Sequence, residues 1–332
     1  MALPAGKLDF KLLEKFLSKY CPADSSVLVG PKLGLDSAVL RLDNNLLVAK
    51  TDPITFASDL IGWYAVNVNA NDIAVTGTKP KWFLATILLP EYKATKALAE
   101  KIFSQISQAC KKLGVSFVGG HTEITVNLDR PIVVGCMLGT TTKKKLITSA
   151  GAKQNDLLII TKGVVIEGTS IIAREKEKML RKKFSKPFIE KAKRYLFSPG
   201  ISVVKDALLA SKYANAMHDP TEGGLLTGIY EMMLASNKGC LVYADRIPIL
   251  KEAKILCEEF NLNPLTTISS GTLLISARKE NAEKLLRIYR RNRIKAAIIG
   301  EVKDKRFGMK LMQNDKIKPL KCSARDEIAK IF

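Results

Sequence analysis

The chain is poor in the residues that build zinc sites and disulfide frameworks. Its 332 residues include two histidines and six cysteines, and the cysteines lie far apart with no Cys-x-x-Cys pair. This spacing argues against both kinds of framework. No apolar run reaches the roughly 18 residues that span a bilayer, and residues 1–10 lack the apolar core of a signal peptide. We therefore expect a cytoplasmic protein with no membrane partner.

Positive charge, by contrast, is abundant. The chain has 53 Lys and Arg against 32 Asp and Glu, a net charge of +21, and ten of the basic residues fall within 174–194. Such an excess favours polyanionic partners, so a basic nucleic-acid-associated protein is one hypothesis. The same segment also carries apolar Met179, Phe184 and Phe188 and contains no recognisable nucleic-acid motif. A solvated surface is therefore the favoured interpretation, and nucleic acid is not the expected partner.

Strand-like and helix-like segments alternate along the chain, which predicts an α/β (α+β) fold. The segment 94–113 carries one apolar stripe and is followed by Gly114, the pattern of an amphipathic helix with a glycine stop. The other elements expected in the first half are strands at 46–49, 82–89, 115–118 and 132–138 and a helix at 59–75. The length and the repeat of this mixture predict two domains, 1–145 and 146–332.

One turn stands out for its chemistry, the segment Met217-His218-Asp219-Pro220-Thr221-Glu222-Gly223-Gly224-Leu225. Paired glycines let a backbone approach a bulky anion, and the first amides of a following helix carry a partial positive charge. A phosphate is one guest that this turn would accept. A helix start capped by Asp219 is the alternative, and these nine residues alone leave both open.

Five acids share a setting beside glycines or at expected strand ends. They are Asp36, Asp52, Asp72, Glu123 and Asp219. Carboxylates from scattered loops suit Mg²⁺, which is held by a few of them together with substrate phosphates. The sequence has no Gly-x-x-x-x-Gly-Lys-Ser/Thr, so a P-loop enzyme is not expected.

An ordered set of motifs then resembles the aminoimidazole ribonucleotide (AIR) synthetase-like superfamily. The motifs are Gly34-Leu35-Asp36-Ser37-Ala38-Val39, Thr51-Asp52, Asn71-Asp72-Ile73-Ala74, Gly77-Thr78-Lys79-Pro80, Gly119-Gly120-His121-Thr122-Glu123, Asp219-Pro220-Thr221-Glu222-Gly223-Gly224-Leu225 and Ser270-Gly271-Thr272-Leu273-Leu274. The resemblance covers nearly the whole chain. It is nearest to the hydrogenase maturation (HypE-type) branch, whose members end in a cysteine where this chain ends in Phe332.

The resemblance implies an N-terminal domain that pairs with a second copy to form a barrel, a C-terminal α+β domain, and ATP in the cleft between them. The metal ligands it implies are Asp36, Asp52, Asp72 and Asp219. The catalytic residues it implies are Asp52, Asp72, His121 and Glu123. The implied ATP-binding residues are Gly34, Asp36, Lys50, Asn71, Gly119, Gly120, Gly163, Asp219, Thr221, Gly223 and Gly224. Glu123 or His121 is expected in a loop near the metal.

The implied activity is a Mg²⁺-dependent phosphorylation that activates an oxygen of a small substrate, carried out by a homodimer. Leu35 replaces the first of two successive acids seen in thiamine monophosphate kinases, and the terminal cysteine is missing. A nucleotide-binding maturation or accessory factor without turnover is therefore the alternative, and the basic nucleic-acid-associated protein is the third hypothesis.

Overall fold

The chain folds into two mixed β-sheets with helices packed on them. A computed structural model describes residues 8–21, 24–54, 57, 59–322 and 326–332. The α-helices of these residues are α1 Phe10–Tyr20, α2 Ile61–Ala74, α3 Lys96–Leu113, α4 Ile166–Glu175, α5 Glu177–Leu180, α6 Lys186–Lys193, α7 Val204–Ala210, α8 Gly224–Ser236, α9 Lys251–Glu259 and α10 Lys279–Arg291. The strands are β1 Val27–Val29, β2 Ala38–Leu42, β3 Asn45–Ile54, β4 Pro80–Pro90, β5 Ser116–Thr125, β6 Ile132–Thr141, β7 Leu157–Thr161, β8 Ala216–His218, β9 Gly239–Tyr243, β10 Leu274–Ala277, β11 Ala296–Lys303, β12 Met309–Gln313 and β13 Lys316–Pro319.

The first sheet has the strand order β1-β2-β3-β6-β4-β5. Its neighbouring strands are antiparallel except for β4 and β5, which run parallel. Side chains of β6 alternate between buried and half-buried along the strand, because one face of the sheet is covered by helices. Helix α2 contacts β3 and β6 on this face and also packs against α3.

Helix α3 confirms the expectation from the apolar stripe at 94–113. The hydroxyl oxygen of Thr95 accepts a hydrogen bond from the Leu98 amide and begins the helix. Gly114 ends it in the left-handed region, with φ of 67°. The buried stripe of Ile102 and Ile106 faces the first sheet and α2.

Two sequence predictions about this domain were wrong in the same way. Asp52 was expected at a strand end, but it lies inside β3, which continues to Ile54. Gly119 and Gly120 were expected to open a loop, but β5 runs through them to Thr125. The glycines accommodate an irregular register beside β4, where a Cβ on Gly120 would lie 1.9 Å from the Ala85 carbonyl oxygen.

The second sheet has the order β13-β12-β9-β11-β7-β10-β8. Its strands pair antiparallel except β12 and β9, which are parallel. Gly168 lies within α4 and packs closely against the Ile268 carbonyl. In the described part of the chain no helix is long and apolar enough to cross a membrane.

Helix α2 joins the two halves of the molecule. Thirteen of its fourteen residues are buried, polar ones included. Asn71 donates to the carbonyl of Ile201 at 2.9 Å and accepts from the amide of Val203 at 2.8 Å. Near the start of the helix, Arg174 of α4 donates to Asp59 at 2.7 Å. These bonds hold the C-terminal half against the first sheet.

Candidate functional site

Four aspartates from four separate elements surround the ammonium group of Lys50. Asp36 precedes β2, Asp52 lies on β3 beside Lys50, Asp72 lies on α2, and Asp219 follows β8. The Lys50 Nζ atom is 3.4 Å from Asp52 Oδ2 and 3.5 Å from Asp72 Oδ1. The carboxylates of Asp36 and Asp219 are close enough to act on the same charge. We call these five residues the carboxylate cluster, and the sequence predicted all of them.

The backbone of Asp52 is fixed by an asparagine on α2. Asn69 accepts a hydrogen bond from the Asp52 amide at 2.9 Å and donates to its carbonyl at 3.2 Å. A Cβ on Gly135 of the adjacent strand would lie 2.3 Å from the Asn69 amide nitrogen, so glycine makes room for this contact. The position of Asp52 is thus set by a buried polar bridge between strand and helix.

Asp36 is held by a histidine and a serine of the second half. His218 Nδ1 forms an ion pair with Asp36 Oδ1 at 2.6 Å, and its Nε2 lies 3.0 Å from Glu231 Oε2. Ser149 donates its hydroxyl to the other oxygen of Asp36 at 2.6 Å. Burial lowers the pKa of His218, but the two carboxylates outweigh that effect and raise it well above its ordinary value. A protonated His218 therefore bridges Asp36 and Glu231.

The carboxylate cluster holds more buried carboxyl groups than the neighbouring cations keep ionised. Burial raises the pKa of Asp219 to about 8, and Asp36 adds to the effect, while His218 and Lys50 oppose it. Burial also raises the pKa of Asp72 well above its ordinary value, against the influence of Lys50. The Lys50 pKa is lowered by burial but raised more by the surrounding carboxylates, so this lysine is charged.

Several oxygens of this cluster lack a hydrogen bond. Among the described residues, Asp72 Oδ2 and both carboxylate oxygens of Asp219 are buried without a hydrogen-bond partner. Buried polar atoms without partners are rare in folded proteins and call for a physical explanation. Carboxylate oxygens that converge in this way are suitable ligands for a hard divalent cation. The nearest side-chain atoms of Asp36, His218 and Asp219 lie within 4.8 Å of one another, and the two carboxylates of this group can bind a cation while His218 is protonated.

The glycines of the site act mainly by letting segments pack closely. Gly34 has φ of 75°, and a Cβ there would lie 2.4 Å from the Glu231 carbonyl oxygen of α8. A Cβ on Gly224 would lie 2.7 Å from the carbonyl oxygen of Thr267. The Gly223 amide, expected to meet a phosphate, instead donates to the carboxylate of Asp326 at 2.6 Å. The anion at the start of α8 is thus supplied by the protein itself.

His121 and Glu123 do not join the carboxylate cluster in the chain described here. They lie on β5, with side chains 67% and 54% exposed, and contact each other at 3.3 Å. In the first sheet β5 is the third strand from β3. Asp52 and Gly120 lie at the same register position across these strands. At the usual strand spacing this separation is about 14 Å. The expected loop is therefore a strand, and within one copy of the chain Gly119, Gly120, His121 and Glu123 lie apart from the carboxylate cluster.

Other predicted residues also lie apart from the cluster or are already engaged. The side-chain amide of Asn71 is used on the backbone of the second half, as described above. Thr221 is half-buried, and its carbonyl accepts from Gly224 at 3.0 Å and Ser269 at 3.3 Å. The Gly163 amide bonds the Thr161 carbonyl at 2.7 Å, and its own carbonyl accepts from Thr272 at 2.7 Å.

The sequence argument missed Asn69, Ser149 and Glu231. A signal existed for Glu231, because it is the only charged residue in the otherwise apolar helix α8. His218 stood in the quoted motif but was given no role. No local pattern pointed to Ser149, since its contact with Asp36 joins positions 113 residues apart.

Comparison with known proteins agrees with the motifs. Residues 34–141 match the domain described as "AIR synthase related protein, N-terminal domain", and residues 153–311 match the corresponding C-terminal domain. A putative hydrogenase expression/formation protein of Methanocaldococcus jannaschii is 29% identical over 272 residues, which cover 80% of this chain and 78% of the relative.

Two further proteins extend the similarity to nearly the full length. A thiamine-monophosphate kinase of Buchnera aphidicola is 25% identical over 93% of this chain and 95% of the relative. The crystal structure of the hydrogenase maturation protein HypE in complex with ATP has a TM-score of 0.69 at 19% identity, and it covers 94% of this chain and 91% of that chain. Together the two matched domains span most of the sequence, and the chain belongs to the AIR synthase-related protein family.

Proposed function

We propose that this protein is an ATP-dependent enzyme that phosphorylates an oxygen of a small substrate, with Mg²⁺ held by the carboxylate cluster. The observation that carries the proposal is the set of three buried carboxylate oxygens of Asp72 and Asp219 without hydrogen-bond partners among the described residues. The similar proteins are named as a kinase and as a maturation protein in complex with ATP, which supports the choice of nucleotide.

The donor set fits magnesium. All the candidate ligand atoms of the four aspartates are carboxylate oxygens, the type that Mg²⁺ prefers, and Mg²⁺ commonly combines one or two carboxylates with phosphate oxygens. A divalent cation would displace the protons that burial favours on Asp72 and Asp219. Asp52, with a side chain 32% exposed, lies toward the open side of the cluster.

Other residues of the site would bind phosphate or position the metal ligands. Lys50, whose ammonium lies between Asp52 and Asp72, would supply positive charge to a phosphate bound beside these carboxylates. His218 and Ser149 hold the two oxygens of Asp36 and so position that ligand. The bound Mg²⁺ would offset the negative charge that develops during phosphoryl transfer. His121 and Glu123 are left out of this assignment because of their place on β5.

We also propose the domain limits 1–145 and 146–332, and a homodimer formed through the first sheet. The division is supported by the change of sheet between the end of β6 at Thr141 and the start of β7 at Leu157. The dimer is supported by β5, an edge strand whose residues are almost all exposed, including Val118 at 53% and Ile124 at 61%. An edge strand with a free hydrogen-bonding edge is a ready site for pairing with another strand.

A thermal-shift experiment tests the nucleotide assignment. ATP and MgCl₂ together are expected to raise the melting temperature by several degrees, since a ligand at a hundredfold excess over Kd adds about 2.7 kcal/mol. Asp219→Asn and Asp52→Asn should each remove this rise. Asp129→Asn, an exposed carboxylate outside the cluster, should keep it. The proposal would be contradicted if ATP with Mg²⁺ left the melting temperature of the wild type unchanged. It would also be contradicted if the melting temperature of Asp219→Asn rose as much as that of the wild type.

A further inference from the structure

A large cavity lies on a different side of α2 from the carboxylate cluster. Its volume is about 1050 Å³, and it is lined by Trp63 and Asn67 of α2, the end of α3, residues 195–209 and residues 293–295. This is as large as the upper range of small-molecule sites. We call it the basic cavity, because six cationic side chains line it: Lys79, Lys112, Lys162, Lys205, Arg293 and Lys295.

The positive charge of the basic cavity is not balanced from within. Asp206 is the one acid among its described lining residues. That carboxylate is already occupied, since it accepts from Thr161 at 2.8 Å and lies 3.4 Å from the Lys162 ammonium. Lys162 also donates to the carbonyls of Gly200 and Ser202. The other five cations form no ion pair with a carboxylate of the described residues, so the cavity carries excess positive charge.

One wall of the cavity is aromatic. Trp63 and Phe197 meet edge to face with ring centroids 5.0 Å apart, and Lys112 lies 5.1 Å above the indole ring. The indole nitrogen of Trp63 is buried with no partner among the described residues. An unsatisfied buried donor costs about 1–3 kcal/mol, so the protein's own described groups leave this wall incompletely satisfied.

The basic cavity is separate from the proposed nucleotide site. Asn67 and Asp72 are five positions apart on α2, which places them roughly 140° apart around the helix axis. Asn67 faces the cavity, whereas Asp72 faces the carboxylate cluster. The two sites also differ in sign, one gathering cations and the other carboxylates. A divalent cation suits the carboxylates of the cluster and not the cations that line the basic cavity.

We propose that the basic cavity binds a small organic phosphate that carries a flat apolar ring. The cations would contact the phosphate dianion, and Trp63 with Phe197 would pack against the ring. The concave shape favours a small molecule over a nucleic-acid strand, which would need an extended surface.

Intrinsic fluorescence offers a direct test, because the chain has two tryptophans, Trp63 and Trp82. In the Trp82→Phe protein, Trp63 is the sole reporter. Phenyl phosphate at pH 8 should change its emission saturably. Adding Lys205→Ala and Lys295→Ala should raise the Kd at least tenfold. Adding Lys316→Ala and Lys318→Ala instead removes the same charge from β13, outside the cavity, and should leave the Kd within twofold.

Three outcomes would overturn the proposal. The first is no saturable change in Trp63 emission, and the second is an equal loss of affinity in both double variants. The third is tighter binding of a single-stranded oligonucleotide that displaces phenyl phosphate, which would assign the cavity to nucleic acid. Asp219→Asn should leave phenyl phosphate binding unchanged, because its side chain lies in the carboxylate cluster. The single variant Lys205→Gln is the control for folding. Its circular dichroism melt should match that of the parent protein while its Kd for phenyl phosphate rises.

Discussion

Asp219 has both carboxylate oxygens buried without a partner among the described residues, and its protonation is set by that burial. A free carboxyl group is ionised at neutral pH, whereas burial beside Asp36 raises the Asp219 pKa to about 8. Without a cation the residue is therefore mostly neutral at pH 7. Binding of Mg²⁺ requires the ionised form, so affinity for the metal should increase as the pH rises toward 8.

Glu167 gives a test of burial at a residue outside the carboxylate cluster. Burial raises its pKa from the ordinary 4.5 to about 7, with the Ser270 side chain opposing the change. The folded state thus holds a proton that the unfolded state releases, and stability falls as the pH rises from about 4.5 through 7. Glu167→Gln cannot ionise, so at pH 8 it should be more stable than wild type by up to about 3 kcal/mol.

Urea unfolding at pH 5 and pH 8 measures this difference. The advantage of Glu167→Gln should be small at pH 5 and largest at pH 8. Glu280→Gln, on the exposed face of α10, serves as the control and should show no such trend. An advantage of Glu167→Gln that is equal at both pH values would show that ionisation is not its cause.

The sequence revealed the aspartates of the site better than the residues that position them. Asp36, Asp52, Asp72 and Asp219 stand beside glycines or at expected strand ends, which is a local pattern. The partners of Asp36 come from far along the chain, and the ion pair with His218 exists only once the two halves are packed. Long-range contacts of this kind leave no periodic or spacing signal in a single sequence.

At the scale of elements, α2 carries the most structural information. Its asparagines would suggest an exposed face, yet nearly every residue is buried, and the side chains of Asn69 and Asn71 bond backbone groups outside the helix. Asn69 fixes β3 and Asn71 fixes residues 201–203. Polarity alone therefore misjudges this helix, whereas the amphipathic α3 was predicted correctly from its stripe.

Removing the Asn71 side chain should weaken the contact between the two halves. Asn71→Ala leaves the Ile201 carbonyl and the Val203 amide buried without their partner, and we expect a loss of about 3 kcal/mol in the free energy of unfolding. Asn67→Ala is the matched control on the same helix. Its amide donates to Trp63, four residues earlier in the same helix, so about 1 kcal/mol should be lost.

Urea denaturation followed by circular dichroism gives both values. Equal losses for the two variants would contradict the role assigned to Asn71.

The strands show a related limit of prediction. Gly119 and Gly120 suggested a loop, but paired glycines also allow a strand to pass very close to its neighbour, and only the pairing of β5 with β4 distinguishes the two.

At the scale of the whole molecule, the first sheet ends in β5, whose outer edge pairs with no other strand of the described chain. Strand β5 pairs with β4 on one side, and its other edge is open. The family resemblance implies a barrel built from two copies, and this edge is where we propose that they meet. The fold class and the two matched domains were predictable from ordered motifs, while the pairing of two copies stays a prediction.

A charge placed on this strand should separate the two copies. Ile124→Lys introduces a cation at the proposed interface and is expected to give a monomer by size-exclusion chromatography with light scattering, where wild type gives a dimer. Ile317→Lys is the control, since Ile317 is similarly exposed at 56% but lies on β13 of the second sheet. A monomeric wild type, or a dimeric Ile124→Lys variant, would contradict the proposed dimer.

The central claim is that the carboxylate cluster holds a divalent cation together with ATP phosphates. The most direct measurement is a crystal structure with Mn²⁺ in place of Mg²⁺ and a nonhydrolysable ATP analogue, with the metal located by anomalous scattering. The account predicts an anomalous peak about 2 Å from carboxylate oxygens of the cluster, including Asp219, with phosphate oxygens completing the coordination. A nucleotide bound elsewhere, or no metal within reach of these aspartates, would contradict it.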